Sequence, residues 1–177
     1  MKFSILATIL ATASVAQAAI TWSIEKDVNP TADQLDAYTR IEAAMTAAAA
    51  RHARLGTAMN VVRAVYTPAV PTAEAYLTGT IRFGANRQFM TERTALHEIA
   101  HTLGVGLTAP FDSKCASGNW TTALPLMRSF EGPDAKIYCG GQHFWPYGLN
   151  YESEMTEETA DRHVLMINAM LADGMAS

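Results

Sequence analysis

The sequence has 177 residues, 49% of them hydrophobic, and a formal net charge of −4. That length suits one domain with a sizeable core, and the apolar content excludes wholesale disorder. Its 13 Lys and Arg residues form no block, which excludes the clustered basic footprint of a nucleic-acid binder.

In chain order, Lys2, an apolar run from Phe3 to Val15 and the small-residue site Ala16-Gln17-Ala18 predict a signal peptide over residues 1–18. Residues 19–177 would then form a single mature domain outside the cell. No other stretch is long and apolar enough to suggest a membrane span. Cys115 and Cys139, the only two cysteines, read as one disulfide in an oxidising compartment. Asn119-Trp120-Thr121, between them, is a glycosylation sequon.

Ile20, Trp22 and Ile24 alternate as in a strand, and Pro30 closes it. Thr31 and Gln34 have the spacing of a capping box, so a helix starts there and runs toward Gly56. Leu35, Tyr38, Ile41, Met45 and Ala48 mark its expected buried stripe. His52, near its end, reads as a solvated residue favoured by the helix dipole. Asn60 to Tyr66 has the β-branched content of a strand, and Pro68 and Pro71 punctuate a loop. A second strand-like region lies within Ala75 to Phe83, clearest over Thr80 to Phe83, and Gly84 closes it. Thr91 is the expected cap of the next helix, which Gly104 and Gly106 end. From Val105 to about Asn150 neither a helical nor a strand period persists, which predicts a long loop region pinned by the disulfide. Thr156 caps a last helix with Ala160, Val164, Ile167 and Leu171 as its stripe.

The stretch Thr94-Ala-Leu-His97-Glu98-Ile-Ala-His101-Thr-Leu-Gly104 carries the chemistry. His97 and His101 are one helical turn apart, so both imidazoles leave one face and can hold one cation. Glu98 stands beside them, where a carboxylate can take a proton from a metal-bound water. Leu96, Ile99, Ala100 and Leu103 fall on the spacing of a core stripe, so the same helix would also be buried.

This H-E-x-x-H-x-x-G run resembles the zincin metallopeptidases, and within them the metzincins. The metzincin pattern places a third histidine where this chain has Leu107, which departs from it. The resemblance implies an α+β, zincin-like domain: a small twisted sheet, a backing helix, the active-site helix and a C-terminal helix. It implies zinc as cofactor and hydrolysis of a protein or peptide substrate, with Glu98 as general base. It also implies an edge strand beside the cleft that pairs with extended peptide, for which residues 79–84 are the suggested segment.

A catalytic zinc takes three protein ligands. His143, in the glycine-rich run Gly140-Gly141-Gln142-His143, is the chosen third ligand. Glu152, Glu154, Asp112 and His163 remain as alternatives, His163 reading as a boundary residue of the last helix. Phe144, Trp145, Tyr147 and Tyr151 read as a satellite core, or else Tyr147 or Tyr151 supplies a phenol to a developing oxyanion. Met155 stands where a metzincin has its methionine turn. Two rival expectations remain: a non-catalytic secreted binding protein contacting carbohydrate or a protein partner through the aromatic loop, and a copper site, since imidazoles alone do not select zinc.

Overall fold

The computed structural model describes residues 20–176, so the signal peptide expected over residues 1–18 lies outside the described residues. The architecture is α+β. Strand β1 (Ile20–Glu25) leads into the long helix α1 (Ala32–Leu55), which returns to strand β2 (Asn60–Tyr66). Thr31 caps α1 with the expected capping box. The strands β3 (Ala73–Ala75) and β4 (Thr80–Phe83) complete a sheet of order β1-β2-β4-β3. β1, β2 and β4 are parallel, while β3 runs antiparallel to β4 with Ala73 opposite Phe83.

Helix α2 (Glu92–Thr102) packs on this sheet and on α1. Helix α5 (Glu157–Ala172) closes the other side of both helices. Between them lie α3 (Ala109–Ser117), α4 (Ala123–Glu131) and a hairpin of β5 (Tyr138–Gly140) and β6 (His143–Trp145). The core is continuous: Ile41, Met45, Ile81, Phe83, Leu96, Ile99, Met166 and Ile167 are all fully buried. A disulfide joins Cys115 in α3 to Cys139 in β5, and no described helix is long and apolar enough to cross a membrane.

Four expectations are corrected. The region 105–150 contains two helices and a hairpin, not a bare loop. Pro110 and Pro125 do not break those helices, because they stand in their first turns, where no intrahelical N–H bond is lost. Helix α3 buries only Phe111, so it leaves little periodic trace. Residues 79–84 are not the sheet edge: β4 pairs on both sides, and the edge is β3, too short to show an alternation. Leu35 is 53% exposed and falls outside the stripe that Tyr38, Ile41, Met45 and Ala48 form. His52 is buried beneath α5, not solvated; its neighbour Arg51 is ion-paired there to Glu92, Glu157 and Asp161.

Candidate metal centre

Helix α2 is a buried helix with a polar floor. Every residue from Arg93 to Thr102 is buried, including His97, Glu98 and His101. One side of the helix faces the sheet and α1. The opposite side forms the base of a cleft of about 520 Å³. Edge strand β3 makes one wall through Thr72, Ala73, Glu74 and Ala75; Leu107, Gln142, His143, Asn150 and Tyr151 make the other.

The two motif histidines are fixed from behind. Nδ1–H of His97 donates to the Gly148 carbonyl at 2.9 Å, and Nδ1–H of His101 donates to the Val105 carbonyl at 2.8 Å. A carbonyl only accepts, so both rings carry their proton on Nδ1 and leave a lone pair on Nε2. Those two Nε2 atoms face each other at 3.1 Å. Burial pushes the His97 pKa well below its ordinary value, with the neighbouring His101 adding to it, and burial also lowers that of His101. Two neutral rings with opposed lone pairs repel, and a cation between them removes the repulsion. Tetrahedral zinc with Zn–N of about 2.05 Å needs nitrogens about 3.3 Å apart, close to the spacing observed.

His143 completes the set. Its ring stacks on His97 with centroids 5.1 Å apart and meets His101 edge-on at 5.4 Å. One nitrogen from each of the three rings lies within 4.8 Å of the others. The chain reaches this position by a two-residue hairpin turn, in which Gly141 and Gln142 both have positive φ, as a type I′ turn requires. Gly106 admits the turn: a Cβ there would stand 2.0 Å from the Gln142 carbonyl oxygen. Gly148 is equally constrained, since a Cβ would meet the Phe144 carbonyl oxygen at 2.1 Å, and its own carbonyl is the one that orients His97.

Glu98 is 5% exposed and reaches the cleft, where its Oε2 has no hydrogen-bond partner among the described residues. Burial pushes its carboxyl up to about 8, against a pull downward from Arg93. A cation held by the imidazoles would draw it back toward the carboxylate range. An ionisable group left unpaired at the floor of an open cleft, beside three converging imidazoles, is suited to moving a proton.

The other candidates lie elsewhere. Glu152 is held by Arg93 and Thr91, Glu154 accepts the Asn150 N–H at 2.7 Å, and Asp112 is an exposed residue of the first turn of α3. None joins the three-histidine cluster. His163 is no boundary residue: it is completely buried, with Nδ1 2.7 Å from the Tyr147 carbonyl and Nε2 3.2 Å from that of Leu96. Tyr147 is turned away from the cleft, its hydroxyl bonded to Glu131 and accepting from Arg162 at 2.6 Å. That removes it as an oxyanion donor. Tyr151, 63% exposed, stands at the cleft rim. Phe144 is core, as the satellite-cluster reading expected.

Sequence reasoning missed β3, Arg93 and Asn150 as cleft residues. Arg93 was legible in principle, because it precedes His97 by one helical turn and shares its face. Set against known protein families, curated proteins and solved structures, the chain matches none.

Proposed function

We propose that this chain is a secreted zinc-dependent metallopeptidase on a zincin-like fold. One observation carries the reading: three imidazoles, two with Nε2 lone pairs opposed at 3.1 Å, converge beside the unpaired carboxyl of Glu98 in an open cleft. The cleft is shaped for an extended chain. Its wall β3 is an edge strand, and an edge strand offers backbone N–H and C=O groups to a peptide laid alongside.

His97, His101 and His143 would hold the metal, with Gly148 and Val105 carbonyls fixing the tautomer of the first two. Zinc bound there would supply a Lewis acid and bring a water's pKa toward neutrality. Glu98 takes the water's proton on Oε2 and returns it to the leaving amine nitrogen. The neutral, carbonyl-bound state of the two histidines suits a divalent cation without prior deprotonation.

The test is metal analysis and peptide turnover of wild type and Glu98→Gln. We expect one zinc per chain in both proteins and a loss of turnover of about 10²–10⁴-fold in the variant. Copper in place of zinc overturns the metal assignment. A zinc-loaded wild type inert on a broad peptide library overturns the peptidase reading in favour of a binding protein.

A further inference from the structure

Resting on the peptidase reading, we infer that Arg93 selects peptides presenting a carboxylate one or two residues from the cleaved bond. Arg93 lies one turn before His97 on the same face of α2 and is only 5% exposed. It lines the metal cleft and also an adjoining cavity formed by Gln88, Phe89, Thr91, Asn150, Tyr151 and Glu152. The cleft therefore continues past the three histidines toward the start of the helix, and Arg93 stands at the junction.

The guanidinium is held but not used up. Its Nε donates to Glu152 at 3.1 Å, its Nη1 donates to the Leu149 carbonyl at 3.3 Å, and its Cζ lies over the Phe89 ring, 5.9 Å from the centroid. Among the described residues its Nη2 has no hydrogen-bond partner. Glu152 approaches from the solvent side, its side chain 57% exposed, and accepts also from the Thr91 hydroxyl. Phe89, Glu152 and Leu149 thus hold the guanidinium of a residue that lines the cavity, with Nη2 left for a ligand. Such a fork matches a carboxylate in geometry and charge.

Among the acidic groups lining the cleft and its adjoining cavity, Glu152 is the one that pairs with Arg93. Glu74, on the opposite wall, is paired with Arg82. Glu98 belongs to the metal side. Four residues of helix rise about 6 Å, and an extended peptide advances about 3.3 Å per residue. A carboxylate at Arg93 therefore belongs to a residue one or two places from the bond at the metal. Two sources meet that description: an Asp or Glu side chain, or the free C-terminus of a short peptide.

The experiment uses two matched peptide pairs and the zinc-loaded protein. One pair differs by Glu against Gln near the cleaved bond, the other by a free against an amidated C-terminus. We expect kcat/KM to favour the acid of one pair by about 10–100-fold, the size of a charge-assisted hydrogen bond. The pair that shows it names the source. Arg93→Gln should bring that ratio near one, and Arg93→Lys should restore part of it. If Arg93→Gln does not fold, Glu152→Gln serves instead: it frees the guanidinium, so the ratio should rise. Acid and amide cleaved equally by wild type overturn the selectivity and leave the peptidase reading standing. If no peptide is cleaved, equilibrium binding of the same pairs decides: an acid bound no tighter than its amide overturns the Arg93 contact as well.

Discussion

All five histidines of this chain are at least half-withdrawn from solvent, yet they fall into two kinds. His97, His101 and His143 ring a cleft; His52 and His163 lie inside the core between α1, α2 and α5. Burial does not separate them, since His97, only 9% exposed, is nearly as withdrawn as His163 at 0%. The second nitrogen does. In His97 and His101 one nitrogen is spent on a carbonyl and the other is left free, aimed at its neighbour. In His163 both nitrogens face carbonyls, and in His52 neither meets a hydrogen-bond partner among the described residues. Of the buried histidines, the two proposed as ligands are oriented through one nitrogen and keep the other unclaimed by any carbonyl.

The sharpest way to break that division is to truncate one histidine of each kind. His143→Ala removes a proposed ligand, and zinc affinity should fall by more than the 10–100-fold typical of losing an outer-shell partner. Its partly exposed position predicts little change in thermal stability. His163→Leu should do the opposite. It leaves the Tyr147 carbonyl unpaired and should cost about 1–3 kcal/mol of stability while zinc remains one per chain. Metal analysis and thermal melts on both variants read the two axes together. Zinc lost from His163→Leu but kept by His143→Ala would reverse the assignment.

A smaller effect separates the two kinds by pH. Burial holds His52 down to about 3, with the charge of His163 adding to it, and holds His163 down to about 4. The unfolded chain takes up these protons below about 6.5 while the folded chain does not. Their contribution is therefore fully present above about pH 6.5 and is lost as pH falls toward 4. Each group costs about 1.4 kcal/mol per pH unit in that window. Replacing His52 by Leu removes one such group, so the variant should lose stability less steeply between pH 6 and 4.5. Denaturant titrations across that range check it, and an unchanged slope would show that His52 titrates freely in the folded state.

Much of this was legible in the sequence where one element carries its own signal. The spacing of His97 and His101, the caps at Thr31, Thr91 and Thr156, and the apolar stripes of α1 and α5 depend on residues a few places apart. The pairing of Cys115 with Cys139 followed from composition alone. What failed depends on distant partners. Nothing local says that β3 lies outside β4, because three residues carry no alternation and the order is set by pairing. Nothing local says that α5 covers His52, or that Pro110 and Pro125 fall in first turns. His143 was chosen for its glycine-rich surroundings, and Gly106, 37 places earlier than His143 in the chain, turns out to make room for its turn.

The smallest effect is expected at Tyr147, and it probes the same lesson on a phenol. Sequence placed Tyr147 and Tyr151 together, two aromatic residues of one loop, each able to reach a developing oxyanion. They separate in the structure. Tyr147 has positive φ and packs its ring against Phe130, with its hydroxyl bound between Glu131 and Arg162. Burial raises its pKa, and the Glu131 bond adds to this against the pull of Arg162. It is a phenol already spent on structure. Tyr151 stands at the rim, 63% exposed, and lines the cleft; among the described residues its hydroxyl has no such partners. Tyr147→Phe should therefore change kcat by less than about twofold, and should lower stability by about 1 kcal/mol through the lost hydrogen bonds. Tyr151→Phe should lower kcat more than Tyr147→Phe does, with a ceiling near the 10²–10³-fold seen for a full oxyanion donor. Steady-state kinetics on the two variants decide between them, and a larger kcat loss in Tyr147→Phe would mean that the loop rearranges when substrate binds.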